Sequence, residues 1–350
     1  MSIMNSSGFM DRLPPELVAN VFDYVQAAHA LSTAMLVNRQ WYMHGARNLH
    51  ARLVLKIGLN MSVDSQHAVM SLMKRLVSPT LSTAPLVRHL VVDGVASAEV
   101  HNLLLNILHR ATGLRSLDIW SLGLTQNRPF FPSDAFSSPH FLPSIVAFNV
   151  KAGGAPYFGT LIHARRIHAL RVHEAIDNAL LRHMTDSSGT LATGIQSLEL
   201  VISAETVAAA VEQMEHVASA LENAPLRALA VQFRIGSVTW NEFEDAIGQM
   251  GLSLRKLGNL SILGLTTSPD PIMHVSDSAE LGSGKQRREL MTRSLAERLI
   301  ADHGLSQLTR IDLRWHGWRV ENGQLHTVDE SELLRQPANW VYKQLSVESP

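Results

Sequence analysis

A short run of the form Leu-x-x-Leu-x-Leu recurs along most of this chain and limits the folds that it can adopt. Six runs begin at positions 87, 114, 142, 167, 195 and 226, so consecutive starts are 25 to 31 residues apart. A seventh begins at Leu254 or Leu257, and the last begins at Leu308. Because apolar residues alternate within each run, the pattern predicts a β-strand with one buried face. A regular period of this length predicts one structural unit per repeat.

Helical patterns lie between several of these runs. They cover residues 100–109, 178–184, 205–221, 242–250 and 289–300. A strand followed by a helix, repeated, predicts a parallel sheet with helices on one side. The pattern resembles leucine-rich repeats, and we expect an α/β solenoid of that kind over residues 86–319. An unrelated α/β sheet whose strands happen to begin alike is the alternative.

Two segments interrupt the period of the repeats. Residues 125–140 predict an irregular loop that carries an exposed aromatic pair, Phe130 and Phe131. Residues 264–286 are rich in Gly, Ser, Thr, Pro and Asp, and this composition predicts a second irregular, disordered loop.

The repeats need covered ends, because an open apolar end would aggregate. Residues 56–85 are expected to form a linker and an N-terminal cap helix, with the helix at 67–77. Residues 320–350 lack the repeat, hold Trp340 and Tyr342, and are expected to form a C-terminal cap and tail.

The region before the repeats predicts a compact helical module over residues 10–55, preceded by a disordered N-terminus at 1–9. Pro14 and Pro15 favour a helix start, since the first helical positions have no intrahelical partner for an N–H. Apolar residues then recur at helical spacing in two stripes. These are Leu13, Leu17 and Val21 with Val18, Phe22 and Val25, and then Leu31, Met35, Leu36 and Trp41. About fifty residues bury too little surface to hold both stripes alone, so the module needs the rest of the chain or a partner.

At these residues the chain resembles the F-box family. Leu13, Pro14, Glu16 and Leu17 match the Leu-Pro-x-Glu-Leu element, Val21 and Phe22 match the apolar pair, and Leu36, Val37, Arg39 and Trp41 match Leu-Val-x-Arg-x-Trp. Asn38 is a departure, because the family often has Cys before the Arg. The resemblance implies a module that docks on the Skp-family adaptor of a cullin–RING ubiquitin ligase. An ordinary helical cap on the next domain is the alternative.

The resemblance also implies which side chains contact the adaptor. They are Leu13, Pro14, Leu17, Val21, Phe22, Leu36, Val37 and Trp41. Some of them must pack inside the module instead, and the sequence alone does not separate the two sets.

A target protein is expected on the strand face that the leucines leave free, because neighbouring residues of a strand point to opposite faces. The candidates are His89, Asp118, Trp120, Phe148, Arg171, His173, Glu199, Arg310 and Arg314, with Asp93 and Gln232 beside them. Trp120 and Phe148 lie on neighbouring predicted strands and are expected to form one apolar anchor. The alternative is that both pack under the 125–140 loop.

No catalytic pattern is present, so we expect a non-enzymatic protein without cofactor or metal. The chain has no cysteine and no Gly-x-Ser-x-Gly, and Gly282–Lys285 lacks the first Gly of a phosphate-binding loop. His163, His168 and His173 are five residues apart, whereas helical metal ligands prefer three or four. The basic residues at 285–288 predict a solvated helix start rather than a nuclear address or a nucleic-acid contact.

Charge and hydropathy place the protein inside the cell, in the cytoplasm, the nucleus or both. The formal net charge is −1, so no overall field attracts nucleic acid or an anionic membrane. No run of 18 apolar residues exists, and the N-terminus lacks the features of a signal peptide.

The predicted function is the substrate-recognition subunit of a cullin–RING (Skp–cullin–F-box) ubiquitin ligase. A repeat scaffold or binding protein without a ligase role is the first alternative. An enzyme with an unrecognised site is the second alternative.

Overall fold

The computed structural model describes most of the chain between residues 14 and 329. The described residues are 14, 17–18, 21–22, 28–37, 39–57, 61–78, 83–94, 97–120, 131–132, 134–150, 161, 164–176, 194–236, 238–268, 284–314 and 316–329. The predictions for the N-terminus at 1–9, for Leu13, for the helix at 178–184 and for the tail at 330–350 lie outside them.

The chain divides into two compact units. The first comprises Met1–Gln126 and Ser138–Ile145, and the second comprises Asn127–Ser137 and Val146–Pro350. The first unit contains helices α1 (Ala28–Ala34), α2 (Arg39–Ala51), α3 (Val63–Leu76) and α4 (Ala98–Arg110), and strands β1 (Arg52–Ile57), β2 (His89–Gly94) and β3 (Ser116–Trp120). A 3-10 turn at Ala84–Leu86 precedes β2.

The second unit holds the remaining strands and helices. The strands are β4 (Ala147–Val150), β5 (Ala169–Ala175), β6 (Ser197–Ala204), β7 (Ala228–Ile235), β8 (Ile262–Ser268), β9 (Arg310–Leu313), β10 (His316–Glu321) and β11 (Gln324–Thr327). The helices are α5 (Val207–Ala220), α6 (Trp240–Leu254) and α7 (Gly284–Ala301). A 3-10 turn spans Ala135–Ser137.

Within each unit the strands pair in their order along the chain, β1 to β3 in the first unit and β4 to β11 in the second. The pairs from β1 to β3 and from β4 to β9 are parallel, while β10 is antiparallel to both β9 and β11. The α/β class and the predicted parallel sheet are therefore confirmed. The β10–β11 hairpin ends the parallel run, since a tight turn can join only antiparallel strands.

Polar residues fix where the helices begin. The side chains of Ser62, Ser97, Thr206 and Thr239 each accept a hydrogen bond from a backbone N–H in the first turn of α3, α4, α5 and α6. At α6, Glu242 returns the bond by accepting from the Thr239 N–H, which completes a capping box. The hydrogen bonds from the Thr239 backbone and hydroxyl also lower the pKa of Glu242.

The apolar positions of the repeated runs align across the strands on one side of the sheet, which we call the leucine face. Leu53, Leu90 and Leu117 are register partners in the first unit. In the second unit the aligned residues are Phe148, Leu170, Leu198, Leu229, Leu263 and Ile311. All of these side chains are buried, so the apolar residues that alternate in the sequence are the residues that form the core. We call the opposite side the polar face.

The register corrects the sequence analysis at three strands. β1 pairs with β2, although its residues were assigned to an all-helical module and a linker. The missed run begins with His50 rather than with an apolar residue, which is why it was not recognised. The run assigned to Leu142 begins at Ile145, because Phe148 is the partner of Leu170. The run assigned to Leu254 or Leu257 begins at Leu260, because Leu263 pairs with Leu229.

Other predicted boundaries also change. Helix α3 connects β1 to β2, so it lies within the repeated strand–helix pattern rather than in front of it. Residues 262–268 form β8, which removes the first part of the predicted 264–286 loop. Phe131, predicted to be exposed, is fully buried. Residues 320–327 continue the sheet in the β10–β11 hairpin.

Candidate functional site

The N-terminal region contains a small core of its own. Val18, Phe22 and Leu31 are buried together, and Trp41 packs against them from α2. The rings of Phe22 and Trp41 meet edge to face with centroids 5.4 Å apart. Phe22 and Trp41 therefore hold the helices together, and the buried Phe22 side chain is not available to a partner protein.

Four other residues that the sequence assigned to adaptor binding have apolar side chains in solvent. Leu17 is 50% exposed, Val21 is 51% exposed, Leu36 is 86% exposed and Val37 is 58% exposed. Pro14 is exposed as well. The structure therefore separates the two sets that the sequence left together: an exposed set of Pro14, Leu17, Val21, Leu36 and Val37, and an interior set of Phe22 and Trp41. We call the exposed set the apolar patch.

A row of polar and small residues crosses the polar face of the second unit. Register pairs align Asn149, Arg171, Glu199, Ala230, Gly264 and Asp312, from β4 to β9. The two small residues, Ala230 and Gly264, stand between polar groups on both sides. We call this row, in which two small residues stand between polar groups, the trough.

The first border of the trough is a hydrogen-bonded cluster. Arg171 Nη2 lies 2.7 Å from Glu199 Oε1, and both side chains are largely buried. Nε2 of His173 lies 2.5 Å from Oδ1 of Asn149, and because an amide oxygen can only accept, the imidazole donates. Asn149 is fully buried, so this bond fixes the ring of His173.

The second border is an ion pair within β9. Arg310 and Asp312 are both buried, and Nε and Nη2 of Arg310 donate to the two carboxylate oxygens of Asp312 at 3.0 and 3.2 Å. Such a bidentate pair is stronger and more directional than a single ion contact. The charges of the two ion pairs, Arg171 with Glu199 and Arg310 with Asp312, are therefore compensated within the sheet.

The structure brings several predicted target-binding residues together on this surface. Arg171, His173, Glu199 and Arg310 border the trough, and Arg314 follows at the end of β9 with a positive φ of 51°. His89 is exposed, but it belongs to the first unit. Asp118 is fully buried, and the side chain of Trp120 lies outside the described residues.

Phe148 is corrected to the leucine face. Its ring lies 5.8 Å from the ring of Phe131 and 5.9 Å from that of Phe136, so it packs under these two residues. This is the alternative that the sequence left open for Phe148. The prediction that Phe148 forms an apolar anchor with Trp120 on the target-binding face is therefore wrong.

Two border residues were not predicted. Asn149 directly follows Phe148. Because the predicted run began three residues too early, the expected alternation put Asn149 on the core side of the strand. Asp312 alternates with Ile311 and Leu313, and this alternation would have identified it.

Among the described residues, no group of three His, Cys, Asp or Glu is placed to hold a metal ion. Within the same residues, no helix combines the length and hydropathy needed to cross a bilayer.

Comparison of the sequence with models of known protein families and with curated proteins finds no match. Function is therefore inferred from the apolar patch and the trough.

Proposed function

We propose that this chain is a non-catalytic substrate receptor of a cullin–RING ubiquitin ligase. In this proposal the apolar patch binds a Skp-family adaptor, and the polar face of the second unit binds a target protein. Such a receptor performs no chemistry. It raises the effective concentration of a target lysine near the ubiquitin-carrying enzyme. A receptor of this kind works in the cytoplasm or the nucleus.

The observation that carries the proposal is the exposure of the apolar patch. Several large apolar side chains exposed within one short region of a chain commonly mark an interaction site. Leu36 and Val37 are far more exposed than core residues of the same types, and they stand at positions that the F-box resemblance assigns to the adaptor. Phe22 and Trp41 support the same interpretation, because they hold the patch on a packed helical base.

The test is capture of the adaptor by a doubly substituted chain. Leu36→Ala with Val37→Ala removes exposed side chains only, so the fold is expected to persist. We expect co-purified Skp-family adaptor and cullin to fall at least about tenfold, because anchors at an interface carry most of its binding energy. Leu252→Ala with Leu290→Ala is the matched control, since these leucines are 59% and 56% exposed in the second unit.

Two outcomes would reject the ligase role. Undiminished capture by the Leu36/Val37 variant would remove the apolar patch from the interface. Failure of the unmodified chain to capture adaptor or cullin would favour the alternative, a binding protein without a ligase role.

A further inference from the structure

The starts of the first three strands carry a group of basic side chains. The register sets Arg52 of β1 opposite His89 of β2, and His89 opposite Ser116 of β3, so this row lies on the polar face. Arg88 and Arg115 directly precede His89 and Ser116, and the Arg115 N–H donates to the Arg88 carbonyl at 2.7 Å. We call Arg52, Arg88, His89 and Arg115 the basic cluster.

No carboxylate neutralises the basic cluster within the part of the chain that the structure describes. None of its members takes part in the ion pairs found there. Arg52, His89 and Arg115 are exposed, and Arg88 is half-buried. Nη1 of Arg88 donates to the carbonyl of Gly113 at 2.9 Å, so this guanidinium is held in place before any partner arrives.

The three arginines act on His89 together. Desolvation lowers the pKa of its imidazole, and the guanidinium groups of Arg52, Arg115 and Arg88 lower it further. The ring is therefore neutral near pH 7 and offers a hydrogen bond instead of a fourth charge.

The sequence around the basic cluster is also locally basic. Residues 28–120 contain nine Lys and Arg but four Asp and Glu, whereas the whole chain contains 30 and 31. Asp93, the carboxylate on β2, stands four residues from His89, which is about 13 Å along a strand. Asp118, on the polar face of β3 and three residues from Arg115, is fully buried and forms no ion pair with the basic cluster. The starts of β1 to β3 are thus locally basic in a chain that is nearly neutral.

We infer that the basic cluster binds an acidic segment of a partner protein, one that carries at least two carboxylates. Arg52 begins β1 and Arg115 directly precedes β3, on either side of β2, so their backbones are about 10 Å apart. An extended peptide places alternate side chains about 7 Å apart, which long arginine side chains span easily. Each guanidinium matches a carboxylate in a two-pronged geometry.

A nucleic acid fits the cluster less well. Binding of a phosphate backbone uses a basic groove that follows the strand over several nucleotides. Here the basic cluster is confined to the starts of three neighbouring strands, and the arginines of the trough in the second unit are paired with carboxylates. This binding does not require the apolar patch, so it holds whether or not the chain recruits an adaptor.

Fluorescence anisotropy with the full chain tests the inference. The probe is a labelled hexaglutamate peptide in low-salt buffer, and hexaglutamine is the uncharged probe. We expect binding of hexaglutamate only, weakening as salt is added, because exposed charges are screened. Arg52→Glu with Arg115→Glu is expected to weaken it at least about tenfold, since like charges then face each other.

Arg227→Glu is the matched control. Arg227 is exposed and precedes β7 as Arg115 precedes β3, and its N–H donates to the Gln196 carbonyl in the same way. Affinity for hexaglutamate is expected to stay within about twofold of the unmodified chain. Thermal midpoints of all variants confirm that the fold persists.

Several results would overturn the inference. One is the absence of hexaglutamate binding, and another is an equal loss in the Arg227 variant. A third is tighter binding of an oligothymidylate that the Arg52/Arg115 variant loses, which would assign the cluster to nucleic acid. Tighter binding of a phosphoserine peptide without carboxylates would assign it to a single phosphate group instead.

Discussion

The two units differ in whether the arginines of their strands form ion pairs. At the starts of β1 to β3, the arginines of the basic cluster have no carboxylate partner among the described residues. In β5, β6 and β9, Arg171 pairs with Glu199 and Arg310 pairs with Asp312. The residue type is the same in both units, and the difference is whether a carboxylate lies within ion-pair distance of the guanidinium. Paired arginines fix the sheet surface, and unpaired ones remain available to a partner.

The largest expected effect on the free energy of unfolding comes from a residue of the leucine face. It also tests the comparison, which depends on knowing which residues lie on each face. Phe148→Ala is expected to lower the free energy of unfolding by about 3–5 kcal/mol, since it opens a cavity beside Phe131 and Phe136. Phe148→Leu should lose much less, because Leu occupies the paired position in β5. Denaturant unfolding measures both. A loss below about 1 kcal/mol for Phe148→Ala would return Phe148 to the polar face.

The buried pair on β9 should give the next largest effect. Asp312→Ala is expected to cost about 3 kcal/mol, because Arg310 keeps its charge in a buried site without the bidentate carboxylate. Replacing both, as Arg310→Met with Asp312→Leu, should cost less than Asp312→Ala alone. Urea unfolding of the two variants checks the order, and the reverse order would mean that the pair is not the source of the loss.

The pair between β5 and β6 is slightly more exposed, so its effect should be smaller. A double-mutant cycle with Arg171→Ala and Glu199→Ala is expected to give a coupling of about 1–2 kcal/mol in unfolding free energy. The same cycle with Arg52→Ala and Arg115→Ala should show no favourable coupling, because like charges do not attract. Favourable coupling in both units would remove the contrast between them.

The smallest effect concerns the acid side of stability. The pKa of His89 is lower in the folded protein than in the unfolded chain, where it is about 6.5. The folded protein therefore loses stability as the pH falls below about 6.5 toward the folded pKa. Arg52→Gln with Arg115→Gln is expected to raise the pKa of His89 and to reduce the fall in thermal midpoint between about pH 7 and pH 5. Imidazole NMR titration measures the shift. Arg227→Gln should leave the His89 resonance unchanged, and an equal shift there would contradict the local origin of the effect.

Much of the fold was predictable because it depends on local patterns. The helices predicted at 100–109, 205–221, 242–250 and 289–300 all occur, and the first three begin next to a Ser or Thr cap. The α/β class follows from the repeated alternation of strand and helix patterns. By contrast, β1 was missed because a His fills the first apolar position of its run.

The candidate site was predictable only in part. Arg171, His173, Glu199 and Arg310 were identified because they alternate with buried leucines in runs whose frame was correct. Phe148 was misplaced because Leu142, Ile145 and Phe148 each fit the apolar position, and the chosen frame was three residues early. A shift by an odd number reverses both faces of a strand, so one error moved Phe148 outward and Asn149 inward.

The sequence by itself determined the class of fold, the helix starts and the set of residues able to form a core. Apolar periodicity and capping chemistry act over a few neighbouring positions, so they are visible without the structure. Only the tertiary structure decided which apolar side chains of the N-terminal helices are exposed and which arginines meet a carboxylate. A contact such as that of Arg171 with Glu199 joins residues of different strands, and the register that brings them together is set by the packing of the sheet.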